Sequence, residues 1–223
     1  MNIEDNLQGP VYQQGYRVLE NKGTAIVGMS PGNSYFKKET IDALLSECTK
    51  KFSQIIIMIP DKPAVYTYKA LGYTDMEAER KARLKSNALV NRTKESLLKL
   101  QKTYSGEATI VKWDSLVACS QEYKKEYENI ISLYKNNATF REDARNTTRS
   151  VIEKKIDLNS NIEKSVDTGV FYLLSELAFV QACSKYYATD IAYVYHNPWS
   201  IYEKYVNGVY DGKKSNLGLV IIN

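Results

Sequence analysis

The chain has 223 residues, 43% of them hydrophobic, and a net charge of +4. That length fits one domain, residues 1–223, with a sizeable core, and no apolar run reaches the ~18 residues that a membrane helix needs. Cys48, Cys119 and Cys183 are far apart and His196 is the one histidine, which excludes a zinc pattern and any motif that needs two histidines.

Residues 1–20 are polar and read as an N-terminal arm. They carry Glu4 and Asp5 and no apolar stretch, so no secretory signal is expected and the protein is read as cytoplasmic. Thr24–Met29 is a short buried strand by its apolar, partly β-branched run. Ser30–Ser34 is a turn cluster, and Ile41, Leu44, Leu45 and Cys48 repeat with helical spacing. Gln54–Ile59 is a second strand, stopped by Pro60, which completes a βαβ unit. Met76–Lys102 reads as a long helix capped near Asp75. Ala108–Trp113 follows as a strand, then helices over Leu116–Tyr134, Phe140–Lys155 and Glu163–Lys185. Ile191–Tyr195 is the fourth strand, Pro198–Tyr205 begins a helix with Pro198 in its first turn, and Leu217–Ile222 is the fifth strand. Strands alternating with helices predict an α/β fold with a mostly parallel five-stranded sheet flanked by helices.

Four groups of residues could carry chemistry. Ser30 follows the first strand and is expected to open a helix at the carboxyl edge of the sheet, where open α/β sheets bind ligands and where amides could hold an oxyanion. Gly28-Met29-Ser30-Pro31-Gly32 fits the G-x-S-x-G elbow, although a turn serine fits equally well. Tyr172 and Glu176 share a helix face in the run Val170–Val180, where Glu176 is the one charge. Glu176 is either on a solvent stripe or buried to receive a cation. Tyr195 and His196 end the fourth strand, on the same sheet edge as Ser30 if the strands are parallel, and both can relay protons. Finally, Arg80, Lys81, Arg83, Lys85, Arg92, Lys94, Lys99 and Lys102 face one acid, Glu95, in a window of charge +7. Lys81, Lys85, Arg92 and Lys99 fall within about 40° on a helical wheel. This stripe is either a solvated face or a contact for phosphate backbone. No G-x-x-x-x-G-K-[ST] or G-x-G-x-x-G phosphate cradle is present.

Ser30-Pro31-Gly32-Asn33-Ser34-Tyr35-Phe36, Tyr172-x-x-x-Glu176 and Tyr195-His196, in this order, closely resemble the cyclodipeptide synthases over roughly residues 20–206. Asn33, Tyr195 and His196 match the subfamily with an Asn/Tyr/His signature. The resemblance implies a Rossmann-like domain similar to the catalytic domains of class I tyrosyl- and tryptophanyl-tRNA synthetases. It also implies an aminoacyltransferase that makes a cyclic dipeptide from two aminoacyl-tRNAs by a ping-pong route, through aminoacyl- and dipeptidyl-serine. Ser30 matches the nucleophile, Tyr172 and Glu176 the pair that holds the α-amine, and Tyr195 the proton relay. Gly28 and Asn33 match residues that shape the pocket, with His196 beside the relay, and the basic helix matches the tRNA-binding one in character. No cofactor or metal is expected, since the substrate ester is already activated. A monomer is expected. Ile26, Val27 and Met58 are expected as aliphatic pocket walls, favouring apolar groups such as Leu. The alternatives are a serine esterase or thioesterase using Ser30 and His196, and a noncatalytic RNA-binding module.

Overall fold

The computed structural model describes residues 13–113, 120–155, 161–186 and 190–222. In chain order the elements are α1 (Gln13–Glu20), β1 (Thr24–Gly28), α2 (Lys38–Lys51), β2 (Gln54–Ile59), α3 (Ala64–Ala70), α4 (Asp75–Leu100), β3 (Glu107–Lys112), α5 (Gln121–Asn136), α6 (Ala138–Ile152), α7 (Ile162–Tyr186), β4 (Ile191–Tyr195), α8 (Ser200–Val206) and β5 (Gly218–Ile221). The strands form one sheet of order β3-β2-β1-β4-β5, and every pairing is parallel. After β1 the chain moves outward through β2 and β3, then returns to lay β4 on the other side of β1. The carboxyl ends of β1 and β4 therefore flank the point where strand order reverses, which is where open α/β sheets form a crevice.

β1, β2, β4 and β5 are short apolar runs because both faces of the sheet are covered. Successive side chains point to opposite faces. Ala25, Val27, Ile55 and Ile57 meet α2 and α4, through residues such as Ile41, Leu45, Leu89 and Leu97. Ile26, Ile56, Met58 and Tyr193 point the other way, toward Val170, Leu174 and Leu177 of α7. Cys48 and Cys183 are buried free thiols, and burial pushes Cys48 up to about 12. Cys119 lies outside the described residues.

Several sequence expectations need correction. Part of the expected polar arm, Gln13–Glu20, is α1, which packs Val18 and Leu19 into the core. α3 was not expected. The helix read over Leu116–Tyr134 starts at Gln121, capped by Ser120; residues 114–119 lie outside the described part. The cap of α4 is Thr74, one residue before Asp75, in a reciprocal box with Glu77. Pro198 precedes α8 by two residues instead of sitting in its first turn. Over Ile162–Cys183, α7 is long and apolar enough to cross a membrane by length and composition, and 72% of that stretch is buried inside the molecule as the core helix.

Candidate active site

Ser30 lies just past the carboxyl end of β1. Contrary to expectation it does not open a helix, because α2 begins at Lys38. The intervening residues form a compact double turn. Asn33 N–H donates to the Ser30 carbonyl at 3.3 Å, and Tyr35 N–H donates to Asn33 Oδ1 at 3.0 Å. Gly32 adopts φ +76°, and a Cβ there would stand 2.6 Å from the Tyr68 hydroxyl. Glycine is needed at this position both for backbone freedom and for space.

The α7 helix brings Tyr172 and Glu176 over this turn from the opposite side. The Tyr172 hydroxyl stands 2.9 Å from Ser30 Oγ and 3.0 Å from Glu176 Oε1. The Tyr195 hydroxyl, at the end of β4, is 3.2 Å from Ser30 Oγ, with the Asn33 side chain near it. Tyr202 of α8 donates to Glu176 Oε2 at 3.0 Å. Glu176 is therefore buried, not on a solvent stripe. Burial raises it to about 7, against the lowering pull of Tyr202 and Tyr172. Burial also lifts Tyr172, Tyr195 and Tyr202 well above the usual phenol value, so all stay protonated donors at neutral pH.

These contacts form a directed chain. An ionised carboxylate can only accept, and each hydroxyl has one proton to give. Tyr172 and Tyr202 thus donate to Glu176, Ser30 donates to Tyr172, and Tyr195 donates to Ser30. The arrangement can take a proton from Ser30 through Tyr172 to a carboxylate poised near neutral pH.

Ser30, Tyr172, Glu176, Tyr195, His196 and Tyr202 share one cavity of about 440 Å³. Its far wall is built by Thr148, Val151 and Ile152 of α6 and by Gly169 and Leu173 of α7. Ile26, Val27 and Met58 are not among its walls. Strand alternation turns all three into the two core layers, where each is fully buried. Gly28 does not line the cavity either: a Cβ there would meet the Tyr193 hydroxyl at 2.3 Å, so Gly28 makes room for that ring.

His196 lines the cavity but makes no hydrogen bond to Ser30. It stacks on Tyr35, with centroids 3.8 Å apart and planes 12° apart, and burial lowers it to about 4. Its buried Nδ1 lacks a hydrogen-bond partner. A Ser–His–acid arrangement needs both imidazole nitrogens engaged, so no esterase triad is assembled here.

On α4, Arg80, Arg83, Lys85 and Lys94 are exposed. Lys81 is half-buried, with Nζ 4.3 Å from the Tyr73 ring centroid. Arg92 is half-buried and its Nε has no partner. Lys99, placed on the same stripe by the wheel, is tied to Asp42 of α2 at 3.0 Å. The stem of Lys85 passes beside Gly32, so the basic face begins at the Ser30 turn.

The family model for cyclodipeptide synthase matches residues 8–222. The chain belongs to the cyclodipeptide synthase family. It is thereby an enzyme, an aminoacyltransferase, and the noncatalytic reading falls away. A cyclo(L-leucyl-L-leucyl) synthase of Corynebacterium jeikeium is 25% identical over 178 residues, covering 79% of this chain and 82% of that protein. The crystal structure of a cyclodipeptide synthase from Bacillus thermoamylovorans superposes with TM-score 0.81 at 23% identity, covering 95% and 93% of the two chains. A cyclodipeptide synthase from Candidatus Glomeribacter gigasporarum bound to Phe-tRNAPhe gives 0.66 at 18%, over 96% and 94%. The tyrosyl-tRNA synthetase of Archaeoglobus fulgidus gives 0.58 at 14%, over 95% of this chain and 59% of the other, in line with the synthetase-like fold.

Tyr202 is the site residue that the sequence reading missed. It lies early in a short helix, with no local pattern to mark it. The wall from α6 was also missed, since α6 read as an ordinary amphipathic helix.

Proposed function

We propose that this cyclodipeptide synthase joins two aminoacyl groups delivered by tRNA through a covalent ester on Ser30. Ser30 Oγ attacks the ester carbonyl of the first aminoacyl-tRNA. The bond to the terminal ribose oxygen breaks, and that oxygen leaves with a proton. The Ser30 proton moves through Tyr172 to Glu176 as Oγ attacks and returns along the same hydroxyls to the leaving oxygen, so Glu176 is ionised again once the ester has formed. Glu176 then holds the α-ammonium of the seryl ester. For the growing dipeptide to stay on Ser30, this same amine must attack the second aminoacyl ester. Glu176 takes the proton that the amine gives up, which suits a carboxylate raised to about 7. The new terminal amine closes the ring on the Ser30 ester and frees the hydroxyl. Lys85, Arg80, Arg83 and Lys94 position the tRNA backbone without reading its sequence, with Lys81 and Arg92 in support.

The observation that carries this reading is Ser30 linked through Tyr172 to a buried carboxylate, at 2.9 and 3.0 Å. Apolar aminoacyl groups such as Leu are favoured by Val151, Ile152 and Leu173 along the cavity wall and by the likeness to the cyclo(L-leucyl-L-leucyl) synthase of Corynebacterium jeikeium. The test is an acid-quenched single turnover with labelled aminoacyl-tRNA, followed by peptide mapping. Label is expected on Ser30, and Ser30→Ala is expected to lose both label and diketopiperazine. Label on any other residue overturns the reading.

A further inference from the structure

We propose that Tyr202 is a positioning residue that aims the Glu176 carboxylate and holds it in its charged form for the incoming amine; this rests on the roles proposed above for Ser30 and Glu176. Glu176 sits on an otherwise apolar stretch of α7 and has two oxygens to satisfy. Tyr172 supplies one donor from the same helix, but that hydroxyl is also the link to Ser30 and must change partners when Ser30 reacts. Tyr202 supplies the other donor, at 3.0 Å to Oε2, and Ser30 is not among its partners. It can therefore stay on the carboxylate through the cycle.

The ring of Tyr202 is fixed independently of its hydroxyl. It stacks on Tyr193 with centroids 5.5 Å apart and planes 6° apart, and Tyr193 is itself held over Gly28. The other groups around Glu176 do not replace this bond. From β4 come Tyr193 and Tyr195, both protonated phenols. On α5, Tyr123 and Tyr127 lie near the neighbouring Ser175, which donates to the Phe171 carbonyl, with Tyr66 of α3 close by. Lys154 and Lys155, after α6, line the same cavity and form no hydrogen bond to the carboxylate. The charged form thus depends on two hydroxyls, and removing one raises the proton affinity of the carboxyl.

The test is a carboxyl-carbon NMR titration of protein labelled with 13C-glutamate, free of substrate, with Glu176→Gln assigning the resonance. For Tyr202→Phe the Glu176 midpoint is expected to rise by about one pH unit or more, as for a hydrogen bond to a charged group. kcat/KM at pH 7 is expected to fall about fivefold or more, with recovery at higher pH. The substrate amine titrates alike with both proteins and cancels in the comparison. Should Tyr202→Phe fold poorly by thermal melt, 3-fluorotyrosine at position 202, a stronger donor, is expected to move the midpoint down. An unmoved midpoint in both variants overturns the inference, as does an activity loss equal at every pH. If Glu176→Gln forms the Ser30 ester and the cyclic product at wild-type rate, the parent reading fails instead, whatever Tyr202 does.

Discussion

The carboxyl of Glu176 is raised from 4.5 to about 7 by burial, and that sets a sign for stability as well as chemistry. Between pH 4.5 and 7 the unfolded chain has lost this proton while the folded one retains it. Folding stability therefore falls as pH rises through that window and is flat above it. Glu176→Gln removes the penalty. The variant is expected to be more stable than wild type at pH 8, by at most about 3 kcal/mol, and equal near pH 4, while losing cyclic product. Urea melts at the two pH values check this, and a variant less stable at pH 8 contradicts it. Gly28→Ala is expected to act through packing: its methyl overlaps the Tyr193 hydroxyl and pushes on the stack that seats Tyr202. A cost of about 1–3 kcal/mol is expected, with product loss in proportion to the displaced ring.

Among the elements, α4 ties the site to its surroundings. Its Thr74–Glu77 box fixes the start, and Ala78, Ala82, Leu89 and Leu97 are buried along one stripe. The other stripe is cationic, but its members are not equivalent. Replacing Arg80, Lys81 and Lys85 by Ala is expected to raise KM for charged tRNA at physiological salt and to lower the log–log salt slope by about two. Lys99→Ala is expected to leave both unchanged, since Lys99 is held by Asp42. The wheel could not make that distinction, because it contains no α2. The same limit explains which elements were legible. β2 and β4 read correctly because a sheet covered on both faces demands unbroken apolar runs. α1 and α3 are short, eight and seven residues, and helical only because the sheet and α7 hold them. Ser30, Tyr172, Glu176, Tyr195 and Asn33 were readable as local motifs, and the structure brings them together. Ile26, Val27 and Met58 were misplaced because being near a strand end does not say which face a side chain takes.

At the scale of the molecule, the order β3-β2-β1-β4-β5 makes the site a meeting of distant parts. Ser30 hangs from the first strand made, while its partner hydroxyl on Tyr172 lies 142 residues later, and Tyr195 follows after that. A ribosome building this chain exposes the serine long before α7 and β4 exist to cradle it. With Ser30 as the acceptor proposed above, a nascent chain is expected to leave charged tRNA untouched until α7 and β4 have emerged. Stalled nascent chains of graded length, offered labelled aminoacyl-tRNA, are expected to stay unlabelled at Ser30 until β4 clears the exit tunnel.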